Sequence, residues 1–254
     1  MDMNGKVVVI TGASRGIGEA TAAHFASLGA HVVLAARTAD RIEETATALR
    51  TSGASASAVA CDVADPEQVV DLITRAKAAT GRLDVLVNNA GLIDPIALLA
   101  DSAPQEWSRV VDVNLKGVYH GMRFAIPLMV GQGGGTIVNL SSGAATSALA
   151  GWSHYCATKA AVLSLTQVAD REYRDKGLRI IGLSPGTVAT RMQEQIRASG
   201  INPVSQLDWS AHIPAEWVAR AIAWLVTPDA DSYRGQDFSL KTNEGRRAAG
   251  LPEV

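Results

Sequence analysis

Short runs of hydrophobic residues alternate with longer amphipathic stretches along almost the whole chain. Residues 6–10 are mostly β-branched and apolar, which is typical of a strand buried on both faces. Residues 19–28 then carry apolar side chains at helical spacing, Gly29 ends that stretch, and residues 31–35 form a second apolar run. The pattern predicts a β-α-β unit at the start of the chain.

The alternation continues to the carboxyl terminus without an internal repeat or a linker rich in Pro, Ser or charge. Strands separated by helices predict an α/β fold, with one doubly wound parallel sheet of about seven strands and helices on both faces. We therefore expect residues 1–254 to form a single domain. Further strands are expected at 56–60, 84–87, 136–140, 178–183 and 236–240, and further helices at 41–50, 66–79, 105–130, 153–176 and 214–226.

Glycines follow directly after the first predicted strand, in the run from Thr11 to Gly18, and a predicted helix begins after them. The amino terminus of a helix presents unpaired N–H groups and the positive end of its dipole, and glycines let a ligand approach the backbone closely. In this context the run predicts a phosphate-binding loop. The alternative is a glycine-rich structural turn.

Polar or turn-forming residues end several of the predicted strands. Ligands of parallel sheets bind beyond the carboxyl ends of the strands, so we expect these residues to share one site. They are Ser14 and Arg15, Asp62, Asn89, Ser142, and the turn at Pro185 and Gly186.

Tyr155 and Lys159 are four residues apart in an alanine-rich run that predicts helix. That spacing is about one helical turn, so both side chains lie on the same face. An ammonium near a phenol favours the phenolate, which makes the pair a candidate general acid for a carbonyl oxygen. Taken alone, the same spacing is common on solvated helices.

The composition sets further limits. The formal net charge of -2 gives no reason to expect a nucleic acid or an anionic membrane surface as a partner. Cys61 and Cys156 have no paired spacing, and the five histidines form no i, i+4 pair, so no disulfide framework or metal site is expected. The amino terminus lacks the features of a signal peptide, and no apolar run reaches the roughly 20 residues of a membrane helix. We expect a cytoplasmic protein.

In order and spacing, these motifs resemble the short-chain dehydrogenase/reductase family from residue 6 to about residue 240. The resemblance implies a Rossmann-type domain and hydride transfer between a nicotinamide cofactor and a carbonyl or alcohol substrate. The motifs that carry it are the run from Thr11 to Gly18, Asn88-Asn89-Ala90-Gly91, Asn114, Ser142, Tyr155 with Lys159, and Pro185-Gly186 with Thr190.

The resemblance also implies a role for each of four catalytic residues. Tyr155 is the general acid in reduction, and Lys159 lowers its pKa and binds the nicotinamide ribose. Ser142 hydrogen-bonds the substrate carbonyl oxygen, where negative charge develops. Asn114 holds a water that links Lys159 to solvent. Without the resemblance, Asn114 is interpreted as capping a helix or satisfying a helix kink, and Ser142 as a polar strand end.

For the cofactor, the resemblance implies pyrophosphate contacts from the glycine loop, adenine contacts from Asp62 and Val63, and an enclosed nicotinamide at residues 185–190. Asp62 is alternatively a helix cap, and Asn88-Asn89 a plain turn. The residues expected to contact the cofactor are Gly12, Ser14, Arg15, Gly16, Ile17, Gly18, Arg37, Asp62, Val63, Asn89, Ala90, Gly91, Tyr155, Lys159, Pro185, Gly186, Val188 and Thr190.

The end of the second strand predicts NADP(H) rather than NAD(H). An acid at this place usually binds the ribose 2′-hydroxyl of NAD, and the run Leu34-Ala35-Ala36-Arg37-Thr38 contains none. The Arg37 guanidinium suits a 2′-phosphate, and Arg15 supplies a second positive charge. The alternative is that both arginines are solvated surface charges.

The substrate is expected between residues 144–152 and a lid at about 187–213. The apolar set Ala144, Leu149, Trp152, Met192, Ile196 and Trp209 favours an uncharged or amphipathic ketone, a diketone or a 3-oxoacyl compound. The run from Thr190 to Gln193 resembles sepiapterin- and benzil-reductase-like members more than 3-oxoacyl-carrier-protein reductases. Packing beneath a lid is the alternative. The expected substrate contacts are Ser142, Ala144, Leu149, Trp152, Tyr155 and Met192.

Family members are commonly dimers or tetramers, so a homo-oligomer is expected. The apolar positions Val118, Met122 and Ile126 allow an outer face for it, or are core. The tail at about 241–254 is either frayed or covers a neighbouring subunit's site. A different function is also open: a nucleotide-binding sensor or scaffold without catalysis. The intact set Asn114, Ser142, Tyr155 and Lys159 favours the enzyme.

Overall fold

A single seven-stranded sheet forms the centre of the computed structural model, which describes residues 1–253. Every neighbouring pair of strands is parallel, and the order across the sheet is β3-β2-β1-β4-β5-β6-β7. The order reverses between β1 and β4, where a ligand crevice is expected in such sheets. The strands are β1 (Val7–Thr11), β2 (His31–Ala36), β3 (Ser55–Ala60), β4 (Val85–Asn88), β5 (Gly135–Leu140), β6 (Leu178–Ser184) and β7 (Asp237–Ser239).

Helices cover both faces of the sheet, which confirms the predicted doubly wound α/β fold. Val8 and Ile10 of β1 pack toward one face, while Val7 and Val9 pack toward the other. Both faces are buried, so the strands are hydrophobic at consecutive positions. The helices are α1 (Gly16–Ser27), α2 (Ala39–Thr51), α3 (Pro66–Thr80), α4 (Pro104–Val111), α5 (Gly117–Gly131), α6 (Ser153–Tyr173), α7 (Arg191–Ser199), α8 (Ala215–Leu225) and α9 (Asn243–Ala248).

The long helix predicted at 105–130 is interrupted. A π-helical turn, Asp112–Lys116, separates α4 from α5. Such turns widen the helix locally and often occur at functional sites. Val118, Met122 and Ile126 of α5 are at most 7 % exposed and belong to the core under the sheet. Their interpretation as an outer oligomer face is therefore wrong.

The region from residue 187 to 213 contains α7 and two short 3-10 turns, Pro203–Gln206 and Trp209–Ala211. Beyond β7, the tail folds back onto its own chain through α9, and Leu251 is buried in the core. Residues 241–253 are thus not frayed, and contact with a neighbouring subunit stays a prediction. Val254, the last residue of the predicted tail, lies outside the described residues. Within residues 1–253, no helix combines the length and apolar character that a membrane span requires.

Candidate active site

The glycine loop between β1 and α1 is packed directly against the end of β4. The Asn89 side-chain amide donates to the carbonyls of Thr11 and Gly12 at 2.9 and 3.2 Å. A Cβ added to Gly18 would lie 2.4 Å from the Gly12 oxygen, which leaves no room for a side chain there. Asn89 was predicted to line the cofactor ribose, and in the structure its amide also anchors the loop.

The start of α1 fits an anionic ligand. Arg15 is the amino-terminal cap residue, and its side chain makes no capping hydrogen bond, whereas Asp65 caps α3 by accepting from backbone N–H groups. The first-turn amides of α1 therefore have no side-chain acceptor and suit a phosphate. Thr190 packs against the glycine loop: a Cβ added to Gly16 would lie 3.2 Å from the Thr190 Cγ2. Ser14 and Ile17 remain the predicted contacts to the pyrophosphate and ribose, and Gly16 remains a predicted cofactor contact.

The predicted adenosine end carries positive charge. Arg37 is exposed directly after β2, and Asp62 lies after β3 with one carboxylate oxygen 2.5 Å from Arg109. The other oxygen accepts from the backbone N–H of Ala64. Burial favours the neutral acid, but these hydrogen bonds and the nearby arginines hold the pKa of Asp62 below its usual value. Asp62 and the buried Val63 stay predicted adenine contacts, although Arg109 already engages that carboxylate.

Asn114 lies in the π-helical turn and is fully buried. Its side chain accepts from the N–H of Leu92 at 2.7 Å and donates to the carbonyl of Leu92 at 2.8 Å. The amide thus clamps the chain that follows Gly91, and Thr158 of α6 lies within 3.5 Å of it. Its two short bonds join the helix to the backbone of Leu92, and its predicted role in holding a water stays a prediction.

Ser142, Tyr155 and Lys159 converge at the carboxyl end of β5. The Ser142 hydroxyl accepts from the N–H of Ala144 at 3.1 Å and is hydrogen-bonded to the Tyr155 hydroxyl. One turn along α6, the Lys159 Nζ lies 5.5 Å from the centre of the Tyr155 ring and donates to the Leu140 carbonyl at 2.5 Å. The predicted helical pairing of the phenol and the ammonium therefore exists in the fold.

The expected lowering of the Tyr155 pKa is not present in this state. Burial raises the pKa of Tyr155 to about 12, and the hydrogen bond from Ser142 opposes this rise only in part. The reason is that a buried phenolate loses its hydration, which costs more than one neighbouring donor returns. Tyr155 is therefore protonated at neutral pH, as a general acid must be.

His154 ties the start of α6 to the loop after β4. The N–H of Tyr155 donates to His154 Nδ1 at 2.6 Å, so the other ring nitrogen carries the proton and donates to the Pro95 carbonyl at 2.7 Å. Burial lowers the pKa of His154, against opposing effects of Pro95 and Asp94, which favours this neutral form. His154 was not among the predicted site residues, and its hydrogen bonds give it a positioning role for Tyr155.

His154→Phe is expected to lower the free energy of unfolding by about 1–3 kcal/mol, because it leaves the Tyr155 N–H and the Pro95 carbonyl without partners at similar volume. Urea unfolding followed by circular dichroism measures the change. His212→Phe, at a partly exposed ring on the lid, is the control and should change stability by less than about 0.5 kcal/mol. Equal effects of the two substitutions would contradict the positioning role.

The predicted substrate contacts form an apolar cluster around Tyr155. Ala144, Trp152 and Ile196 are buried in it, and the Trp152 ring packs edge-on against the Tyr155 ring with centres 5.6 Å apart. Leu149 and Met192 pack at its margin. Trp209 lies outside the cluster, 38 % exposed and stacked on His212, so its grouping with this set is wrong.

The loop after β6 leads to α7, which carries Met192 and Ile196 of this cluster. Gly186 adopts a φ of 80°, the left-handed conformation that glycine favours, directly after Pro185. Val188 is buried and bridges to Ile213, and the Thr190 hydroxyl donates to the Val188 carbonyl. The loop thus connects β6 to the lid, and its nicotinamide contacts stay predicted.

Sequence reasoning missed Arg109 and Asp237 beside the predicted site. Asp237 accepts from the hydroxyls of Ser141 and Ser184 at 3.2 and 2.6 Å. The sequence did carry a signal for Asp237, because this acid adjoins the apolar residues Phe238 and Leu240 of the predicted last strand. Arg109 has no comparable signal, because it is one of several charged residues on an amphipathic helix.

Residues 6–200 match the family model for short chain dehydrogenase. The chain is 36% identical over 237 residues to 3-oxoacyl-acyl-carrier-protein reductase of Staphylococcus aureus, covering 92% of this chain and 96% of that protein. It is 32% identical over 238 residues to cyclohexanol dehydrogenase of an Acinetobacter species, covering 92% and 93% of the two chains. The crystal structure of levodione reductase superimposes with a TM-score of 0.87 at 26% identity, covering 98% of this chain and 100% of that chain. The chain therefore belongs to the short-chain dehydrogenase/reductase family of oxidoreductases.

Proposed function

We propose that this oxidoreductase uses NADPH to reduce an uncharged, largely apolar ketone, diketone or 3-oxoacyl compound. The observation that carries the proposal is the hydrogen bond between Tyr155 and Ser142 beneath an apolar cluster, with Lys159 one turn away. This arrangement offers a proton and a hydrogen-bond donor at one point of an otherwise apolar surface. A carbonyl oxygen attached to an apolar body is complementary to it.

A bound nicotinamide cofactor supplies the hydride in this reaction. Tyr155 is protonated at neutral pH and donates its proton to the carbonyl oxygen. The Ser142 oxygen accepts from Ala144, and its hydrogen, which bonds Tyr155 in this structure, turns to the substrate oxygen and stabilises the negative charge that develops there. The Lys159 ammonium stabilises the phenolate that remains.

Preference for NADP(H) is supported by charges at the end of β2. Ala36 is the last residue of the strand, and the exposed Arg37 follows it where an acid would bind a ribose hydroxyl. Arg15 is exposed at the start of α1. Within residues 1–253, neither arginine forms an ion pair, so both guanidinium groups are available to a 2′-phosphate.

The apolar cluster and the names of the relatives support the substrate class. Cyclohexanol dehydrogenase and levodione reductase are named for small carbonyl or alcohol compounds, and the Staphylococcus aureus relative for a 3-oxoacyl group. The cluster that Ala144, Trp152 and Ile196 form around Tyr155 is apolar, which favours such compounds over sugar phosphates.

The substrate class is tested by following NADPH absorbance with cyclohexanone, benzil and a 3-oxoacyl thioester. We expect turnover of at least one, and a higher kcat/KM with NADPH than with NADH. Absence of turnover in the whole panel, with NADPH still bound, would favour a sensor or scaffold.

We further propose a cytoplasmic homo-oligomer, a dimer or a tetramer, without nucleic-acid or membrane partners. Support comes from the net charge of -2 and from exposed apolar residues on the outer helices, Tyr119 of α5 and Val168 of α6. Analytical ultracentrifugation at micromolar concentration distinguishes a monomer from these assemblies.

A further inference from the structure

Asp237 lies at the start of β7, beside the carboxyl ends of β5 and β6. Its register partner in β6 is Gly182, and a Cβ on Gly182 would lie 3.1 Å from the Asp237 Oδ1. That distance is shorter than an ordinary van der Waals contact, so a side chain at position 182 would crowd the Asp237 carboxylate, and glycine avoids this.

The carboxylate connects the two loops that carry the site. Its Oδ2 accepts from Ser184 at 2.6 Å and from Ser141 at 3.2 Å. Ser141 directly precedes Ser142, and Ser184 directly precedes Pro185. The Oδ1 is buried and has no hydrogen-bond partner within residues 1–253. A buried acceptor without a hydrogen-bond partner destabilises the folded protein, so a nearby positive charge is expected to offset this loss.

Lys159 is the buried cation whose charge acts on this carboxylate, although the two groups form no direct ion pair within residues 1–253. It is 5 % exposed, and its Nζ donates to the carbonyl of Leu140, the residue before Ser141. Other ionisable groups near the pair are Tyr155 and Cys156 on α6 and Lys241 just beyond β7, whose ammonium lies beside Gly143. Asp170 of α6 is neutralised by Arg174. Ser141, directly after β5, and Ser184, at the end of β6, are the uncharged groups that bond the carboxylate.

We propose that Asp237 is a positioning residue, a carboxylate that is anchored by Ser141 and Ser184 and keeps the Lys159 ammonium charged one helical turn from Tyr155. The proposal rests on the proposed function for the catalytic use of that charge. It adds a residue from the last strand to the proton-handling part of the site.

The electrostatics of the pair support this role. Burial lowers the pKa of Lys159 to about 8, and Asp237 is the group that opposes this fall. Burial raises the pKa of Asp237, against the opposing effects of Ser184, Ser141 and Lys159. Each charge is therefore costly alone and is stabilised by the other. Removing the carboxylate lowers the pKa of Lys159 further, so the ammonium is lost at a lower pH.

Asp237→Asn, which keeps the shape of the side chain, tests the proposal through the pH profile of kcat. We expect the loss of activity on the alkaline side to move to lower pH by about one unit. Asp229→Asn is the control. It removes one negative charge from an exposed acid in the turn that precedes β7, and it should leave the pH profile unchanged. A lower melting temperature of the Asp237→Asn protein with an unshifted profile would overturn the proposal, because that result describes a purely structural carboxylate.

Carbon-13 NMR of lysine labelled at Cε provides a readout that needs no turnover. Lys159 is assigned by its absence in Lys159→Met, and its pKa should fall in Asp237→Asn by about the same unit. This measurement distinguishes a failure of the Asp237 proposal from a failure of the proposed function, because the pKa of Lys159 is measured without any turnover of a ketone. If the Asp237→Asn protein does not fold, the Asp237 carboxyl signal of the unmodified protein is measured instead. We expect this carboxyl to be ionised at pH 7. A carboxyl that is still protonated at that pH would overturn the proposal.

Discussion

Tyr155→Phe is expected to lower kcat for ketone reduction by about 10²–10⁴-fold, the usual contribution of a general acid. The ring keeps its place in the apolar cluster, because the substitution removes only the hydroxyl that bonds Ser142. The proton for the carbonyl oxygen then has no donor, while the glycine loop and Arg37 are untouched. Cofactor affinity should stay within about twofold of the parent, because no cation–phosphate contact changes.

Stopped-flow single turnover with NADPH measures the chemical step, and NADPH fluorescence measures binding. Tyr119→Phe removes a hydroxyl from a tyrosine that is 49 % exposed on α5, and it should leave both quantities unchanged. Unchanged turnover in Tyr155→Phe would exclude Tyr155 as the acid. Loss of cofactor binding instead would indicate that the hydroxyl is needed to bind the cofactor.

The double change Ala36→Asp with Arg37→Ile is expected to move cofactor preference from NADPH to NADH. A hydrogen bond to a charged group contributes about 1.5–3 kcal/mol, so loss of the Arg37 guanidinium alone lowers NADPH efficiency by roughly 10–150-fold. The new carboxylate at the end of β2 accepts from a ribose 2′-hydroxyl and repels a 2′-phosphate. The ratio of kcat/KM for the two cofactors should therefore change by about 10² or more.

Steady-state kinetics with both cofactors and one ketone measures this ratio. Arg75→Ile removes an exposed arginine from α3, outside the predicted cofactor site, and should leave the ratio unchanged. If the unmodified protein already has the higher efficiency with NADH, the assignment of Arg37 to a 2′-phosphate is wrong.

Local patterns predicted most of the sheet and its helices. Residues 178–183 were predicted as a strand and β6 is Leu178–Ser184, because a strand buried on both faces is apolar at consecutive positions. The predicted helix at 66–79 closely matches α3, whose cap Asp65 and first-turn Pro66 are local signals. The predicted stretch at 105–130 is helical throughout, but the pattern did not predict the π-helical turn, in which Asn114 bonds Leu92 of another segment.

The sequence by itself determined the fold class, the order of the strands along the chain, and the motifs of a short-chain dehydrogenase/reductase. These properties follow from periodicity and from residues that are neighbours in the chain, as Tyr155 and Lys159 are on one helical face. Only the tertiary structure decided which groups surround them. His154 meets Pro95 across 59 positions, and Asp237 meets Ser141 across 96. Such contacts, and the burial that raises the Tyr155 pKa and lowers that of Lys159, arise when packed elements exclude water, and no local pattern records them.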